Sequence, residues 1–84
     1  MRNKNKIKKI ENLETLIHLQ YISLKGNQIK ELENLKHLKN LSFLDISYNL
    51  IETINVVELP KNIEYFSFVE NPLKVFHINT LFLS

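Results

Sequence analysis

Apolar residues along this chain keep two spacings in turn. Around Ile22-Ser23-Leu24, Leu44-Asp45-Ile46 and Phe66-Ser67-Phe68 they recur at every second position, which places their side chains on one face of a short strand. From Ile29 the interval becomes three, through Leu32, Leu35, Leu38 and Leu41. Side chains at i and i+3 eclipse one another in a 3₁₀ helix, whereas in an α-helix the same positions drift around the axis. The pattern predicts short strands joined by return limbs of 3₁₀ turns or very short helices.

The alternation is itself periodic. Leu19-x-x-Ile22-x-Leu24-x-x-Asn27-x-Ile29, Leu41-x-x-Leu44-x-Ile46-x-x-Asn49-x-Ile51 and Ile63-x-x-Phe66-x-Phe68-x-x-Asn71-x-Leu73 superpose at an offset of 22 residues. Between them Leu32, Ile54 and Phe76 share a column, as do Leu35 and Val57; Pro60 and Asn79 depart from the apolar rule. An earlier half-unit is visible in Asn5-x-Ile7-x-x-Ile10-x-x-Leu13-x-x-Leu16. The boundaries are those of a single domain, 1–84, with a partial repeat at 1–18 and repeats at 19–40, 41–62 and 63–84. One such coil cannot bury its own apolar face. Stacked coils bury it jointly, with their strands side by side in a parallel sheet.

Asn27, Asn49 and Asn71 fall where the chain leaves each strand. A turn there strands backbone groups that the sheet no longer pairs, and an asparagine amide carries both donors and an acceptor to meet them. These three are expected to form a structural ladder rather than a binding site. On these residues the chain resembles the leucine-rich repeat family over residues 5 to about 76, in the 22-residue subtype known from a phosphatase regulatory subunit and a dynein light chain. The resemblance implies an α/β fold, a leucine-rich repeat solenoid. Short parallel strands would line its concave face, and 3₁₀ or short helical turns its convex face. It also implies protein binding through the concave face, without naming the protein. Leu59-Pro60-x-x-Ile63 is similar to the Leu-Pro opening of some bacterial effector repeats, which leaves a bacterial origin open.

On that reading the strand residues between the apolar ones face outward: Tyr21, Ser23 and Lys25; Phe43, Asp45 and Ser47; Tyr65, Ser67 and Val69. One column is aromatic throughout, Tyr21, Phe43 and Tyr65. With strands about 4.8 Å apart the rings form a ladder roughly 10 Å long. Such a strip suits a binding hot spot, and equally the rings can stack on one another to stabilise the strands. The other two columns are mixed in charge. Tyr48, just before its asparagine, is expected to pack against the next coil.

Composition narrows the alternatives. At 44% hydrophobic and 24% charged the chain is neither disordered nor membrane-spanning, and no apolar run reaches the length of a bilayer crossing. Without cysteine there is no disulfide or thiolate metal site. His18, His37 and His77 fall in three different repeat columns, no histidine faces Ser23, Asp45 or Ser67, and one glycine cannot build a phosphate loop. No enzyme activity, metal or cofactor is expected. A net charge of +2 makes no electrostatic demand on a partner. The basic start (Arg2, Lys4, Lys6, Lys8, Lys9) is the one argument for a nucleic-acid or anionic partner, and Glu11 and Glu14 offset it.

A cytoplasmic location is expected, with the nucleus left open. The return limb, with Lys30, Glu31, Glu33, Lys36 and Lys39, reads as an ordinary solvated surface. Three units with a leading half-unit stand at the threshold for a stable repeat array, so stability should be marginal. Neither end resembles a polar cap, and the stretch Phe76–Leu83 is apolar. The expectation is therefore a piece of a longer array, with no independent activity, or a protein that self-associates through an open end.

Overall fold

The computed structural model describes residues 6–77. Five short strands form in it: β1 (Tyr21–Ser23), β2 (Phe43–Asp45), β3 (Thr53–Asn55), β4 (Tyr65–Ser67) and β5 (Val75–His77). A parallel sheet takes the order β1-β2-β4, with Tyr21 opposite Phe43 opposite Tyr65 and Ile22 opposite Leu44 opposite Phe66. Each strand therefore pairs with its equivalent one repeat away. The middle residue of each strand turns inward, and Ile22 and Leu44 are wholly buried. They join Leu24, Ile46, Ile29, Ile51, Leu35, Leu38 and Leu41 in one continuous core, against which Phe66, Phe68 and Leu73 pack half-buried. Burying an aliphatic side chain of this size is worth about 1.5–3 kcal/mol, and here the benefit is shared across the coil boundary.

Backbone pairing continues past the strand ends. Leu24 and Ile46 donate to the carbonyls of Asp45 and Ser67 at 2.8 and 2.9 Å, and Gly26 and Tyr48 donate to Ser47 and Val69 at 3.0 Å each. Beyond this point the chain bends, and the asparagines take over. The Asn49 Oδ1 accepts the Ile29 N–H of the preceding coil at 3.0 Å. Its Nδ2 donates to Leu24 O of that coil at 3.0 Å, and to Ile46 O and Ser47 O of its own coil at 2.9 and 3.1 Å. Asn27 accepts from Ile7 N–H at 3.1 Å, and Asn71 accepts from Ile51 N–H at 3.0 Å. Asn71 also donates to Ile46 O and Phe68 O at 2.9 and 3.1 Å. One amide thus serves two coils at each bend.

The residue before each of these asparagines is left-handed: Gly26 at φ 76°, Tyr48 at 59° and Glu70 at 57°. Only glycine adopts this region without a steric cost, so the bend is strained in the second and third units and relaxed in the first. Tyr48, whose position suggested packing against the next coil, is exposed and meets a side chain of the preceding coil. Its ring is 52% exposed, and the Lys25 ammonium of the preceding coil lies 5.5 Å from the ring centroid.

The return limb departs from the expected α/β pattern. Among the described residues there is no α-helix, and the single 3₁₀ helix spans Val56–Glu58. In the leading half-unit and the first unit the three-residue period appears as isolated turns. Leu16 and Leu19 donate to Leu13 O and Leu16 O at 3.1 and 3.2 Å, and Leu38 and Leu41 donate to Leu35 O and Leu38 O at 3.0 and 3.1 Å. Left-handed residues at Asn12 and Asn34 (φ 65° and 61°) interrupt the limb before these turns and prevent a helix from extending.

The second unit has Val56 in that asparagine column and Pro60 in the column of Leu16 and Leu38. A β-branched residue resists the left-handed region, and proline has no N–H with which to close the turn. Val56 instead opens the 3₁₀ helix, capped by Asn55 Oδ1 on Val57 N–H at 3.2 Å, and Leu59 N–H closes onto Val56 O at 3.1 Å. Here the limb also pairs as a strand, β3 parallel to β5 with Ile54 opposite Phe76. This second sheet was not anticipated from the three-residue spacing. Among the described residues no helix is long and apolar enough to cross a membrane.

Two stability changes follow. Asn49→Ala leaves buried donors and acceptors of two coils unpaired and should cost at least about 3 kcal/mol in a urea titration. Asn71→Ala should cost less, because its site is only half-buried. A loss for Asn49 no larger than that for the exposed Asn40→Ala would show that the amides do not hold the bends. Glu70→Gly should raise stability by about 1 kcal/mol by relieving the left-handed strain.

Candidate functional site

The outward side of the β1-β2-β4 sheet is built by the same alternation that builds the core. Flanking residues of each strand point opposite to Ile22, Leu44 and Phe66. Because the register is in step, Tyr21, Phe43 and Tyr65 stand in line. Their rings stack face to face, with centroids 4.2 Å apart and planes 7° from parallel for Tyr21 and Phe43, and 4.4 Å and 1° for Phe43 and Tyr65. Tyr21 and Tyr65 remain 54% and 50% exposed, with Phe43 half-buried between them. The strip presents ring edges to solvent, since the two faces of Phe43 are both covered by its neighbours. Edges of aromatic rings carry the positive side of the quadrupole and meet carbonyl oxygens or the face of another ring.

Next to the rings lies a polar row. Asp45 is half-buried, and its Oδ1 accepts the Ser47 N–H at 2.9 Å in an Asx turn at the strand end. Ser47 Oγ lies 2.6 Å from Ser67 Oγ, a hydrogen bond that links the second and third coils. The sequence placed Ser23 and Ser47 among residues open to a partner, and that placement is corrected here: they are 6% and 2% exposed. A serine side chain is short and sits below the level of the rings and the longer side chains on the same strands. Beyond the serines, Lys25 and Val69 are exposed, the latter at 58%.

Tyr48 belongs to this side of the molecule although the strand alternation did not select it. The signal was its column: with Gly26 and Glu70 it marks the left-handed position of the bend, from which a side chain does not turn into the core. The accessible part of the face therefore comprises Tyr21, Phe43, Tyr65, Lys25, Val69 and Tyr48, with Asp45 and Ser67 partly accessible. Asn27, Asn49 and Asn71 contribute their amides to the backbone of the bends.

Among the described residues no group of three or more His, Cys, Asp or Glu side chains could hold a metal ion. His37 Nε2 donates to Leu13 O at 2.9 Å across the coil boundary and is thus engaged in stacking the coils. Of the basic start, Lys6, Lys8 and Lys9 are exposed alongside the equally exposed Glu11 and Glu14, while Arg2 and Lys4 lie outside the described residues.

A family model described as leucine-rich repeats in two copies matches residues 17–61, a stretch that includes β1, β2 and two of the three ladder asparagines. No significant match is found among curated proteins or among solved structures.

The ring stack should be energetically coupled. In a double-mutant cycle on Tyr21→Ala and Phe43→Ala, the double variant should lose about 0.5–1.5 kcal/mol less than the sum of the two single losses. Simple additivity in denaturant titrations would show that the rings stand side by side without supporting the sheet.

Proposed function

The chain belongs to the leucine-rich repeat family, and on that basis we propose that it is a protein-binding module whose partner lands on the outward face of the β1-β2-β4 sheet. Leucine-rich repeats generally mediate protein–protein interaction and typically act as non-enzymatic scaffolds. In this reading the stacked coils form a solenoid, the sheet lines its concave side, and Tyr21, Phe43 and Tyr65 are the anchors. Lys25, Tyr48 and Val69 extend the footprint, and Asp45 and Ser67 supply polar contacts at its centre.

The single observation that carries the proposal is the exposed aromatic stack. A contiguous exposed apolar patch, unlike single scattered residues, marks an interaction surface, and tyrosine is enriched in hot spots. Stacking holds these rings in place before any partner arrives. A surface already ordered loses little side-chain entropy on binding, so more of the contact energy appears as affinity. The mixed charge of the remaining positions predicts binding that depends only weakly on salt.

The test replaces Tyr21 and Tyr65 together by Ser, which removes the two exposed rings and leaves Phe43 and the core in place. Affinity capture from the cells that make the protein, followed by titration of the captured protein, should show affinity lowered by about 30-fold or more, the scale of a hot spot worth about 2 kcal/mol. An unchanged affinity, with circular dichroism confirming an intact fold, would move the site away from this face.

A further inference from the structure

A second surface of different chemistry lies on the flank of the molecule, at the irregular return limb of the second unit. A groove of about 600 Å³ opens there, floored by Val57, Leu59, Pro60, Ile63 and Phe66. Lys36, Lys39 and Lys61 stand along it, and among the described residues no carboxylate lines it. Lys39 and Lys61 are equivalent positions of consecutive coils, and Asn62 Nδ2 donates to Lys39 O at 3.0 Å, which holds the two coils together at this point. The one ion pair among the described residues joins Lys74 to Glu52. Among the described residues, therefore, no carboxylate stands at salt-bridge distance from the three lysines of the groove.

We propose that this groove docks an acidic peptide segment that inserts one bulky apolar side chain between the lysines. Three features select that occupant. Like charges brought together by coil stacking repel one another, and carboxylates on a bound segment would relieve the repulsion. An apolar floor beneath a cationic rim fits an apolar side chain flanked by acidic residues, with apolar contact supplying affinity and charge setting register. The volume lies in the range of small binding clefts and accommodates a leucine or phenylalanine with its adjoining backbone. A membrane would require a broad field of one sign, and Glu58 and Glu64 stand in the same stretch of chain as the floor. The site is separate from the aromatic face and does not depend on it.

The experiment uses the full chain and a fluorescent peptide in which a Leu-Phe pair is flanked on both sides by glutamates. Fluorescence anisotropy should report saturable binding that weakens as salt is raised. Lys39→Ala with Lys61→Ala should weaken it by about tenfold, as should Val57→Asp, which places a charge on a side chain that is already 43% exposed and so leaves the core untouched. Tyr21→Ser with Tyr65→Ser should leave it unchanged, which separates this site from the aromatic face. Four results would overturn the proposal. Equal binding of a glutamate peptide with glycine in place of the Leu-Phe pair would reduce the site to a charge patch. Capture by phosphatidylserine vesicles but not by the peptide would assign it to a membrane. Concentration-dependent dimerisation lost in the lysine variants would assign it to a second copy of the chain. Peptide binding seen only after removal of residues 78–84 would assign it to the chain's own tail.

Discussion

At each bend of this protein a side-chain amide is bonded both to its own coil and to the coil before it, and the rest of the structure depends on that arrangement. A strand that ends must leave N–H and C=O groups without sheet partners, and burying such groups unpaired costs about as much as the contacts around them contribute. Asn49 meets four of them, in two coils, at distances of 2.9 to 3.1 Å. An aspartate could not donate, a leucine could do neither, and a glutamine would place its amide one carbon too far out. Once the bends are held, the strands are brought into step, and the apolar columns can meet across the coil boundary.

The same bends explain where the repeat is regular and where it is not. A left-handed residue precedes each ladder asparagine, although a glycine fills that position only in the first unit. A second left-handed column, Asn12 and Asn34, sets the course of the return limb until Val56 ends it. The change at Val56 and Pro60 produces a 3₁₀ helix in place of simple turns, directly after the strand that pairs with Val75–His77. It also coincides with the apolar, lysine-rimmed groove. The unit that departs most from the repeat is thus the one with the most distinctive surface.

The two faces of the β1-β2-β4 sheet do different work with the same residue alternation. Inward, aliphatic side chains fill a shared core. Outward, aromatic rings repeat the stacking at the surface, and Ser23 and Ser47 are closed off by burial. That closure narrows the accessible face to the rings, Lys25, Tyr48 and Val69, with Asp45 and Ser67 partly accessible.

Much of this was legible in the sequence, because it follows from spacing. Period two identifies the core residue of each strand, the 22-residue offset sets the register of Tyr21, Phe43 and Tyr65, and an amide recurring at one position identifies the group that meets the backbone at the bend. These properties depend on residue type and interval alone. Tertiary structure decided the rest. Whether a three-residue period becomes a helix, a turn or a strand depends on which neighbour lies beside it, as Thr53–Asn55 pairing with Val75–His77 demonstrates. Likewise, an outward-pointing serine is exposed or covered according to the height of side chains on adjacent coils, and the lysines of different coils become a group only when the coils stack. Interval along the chain fixes direction from the backbone, but exposure and proximity are properties of the neighbours that folding brings up.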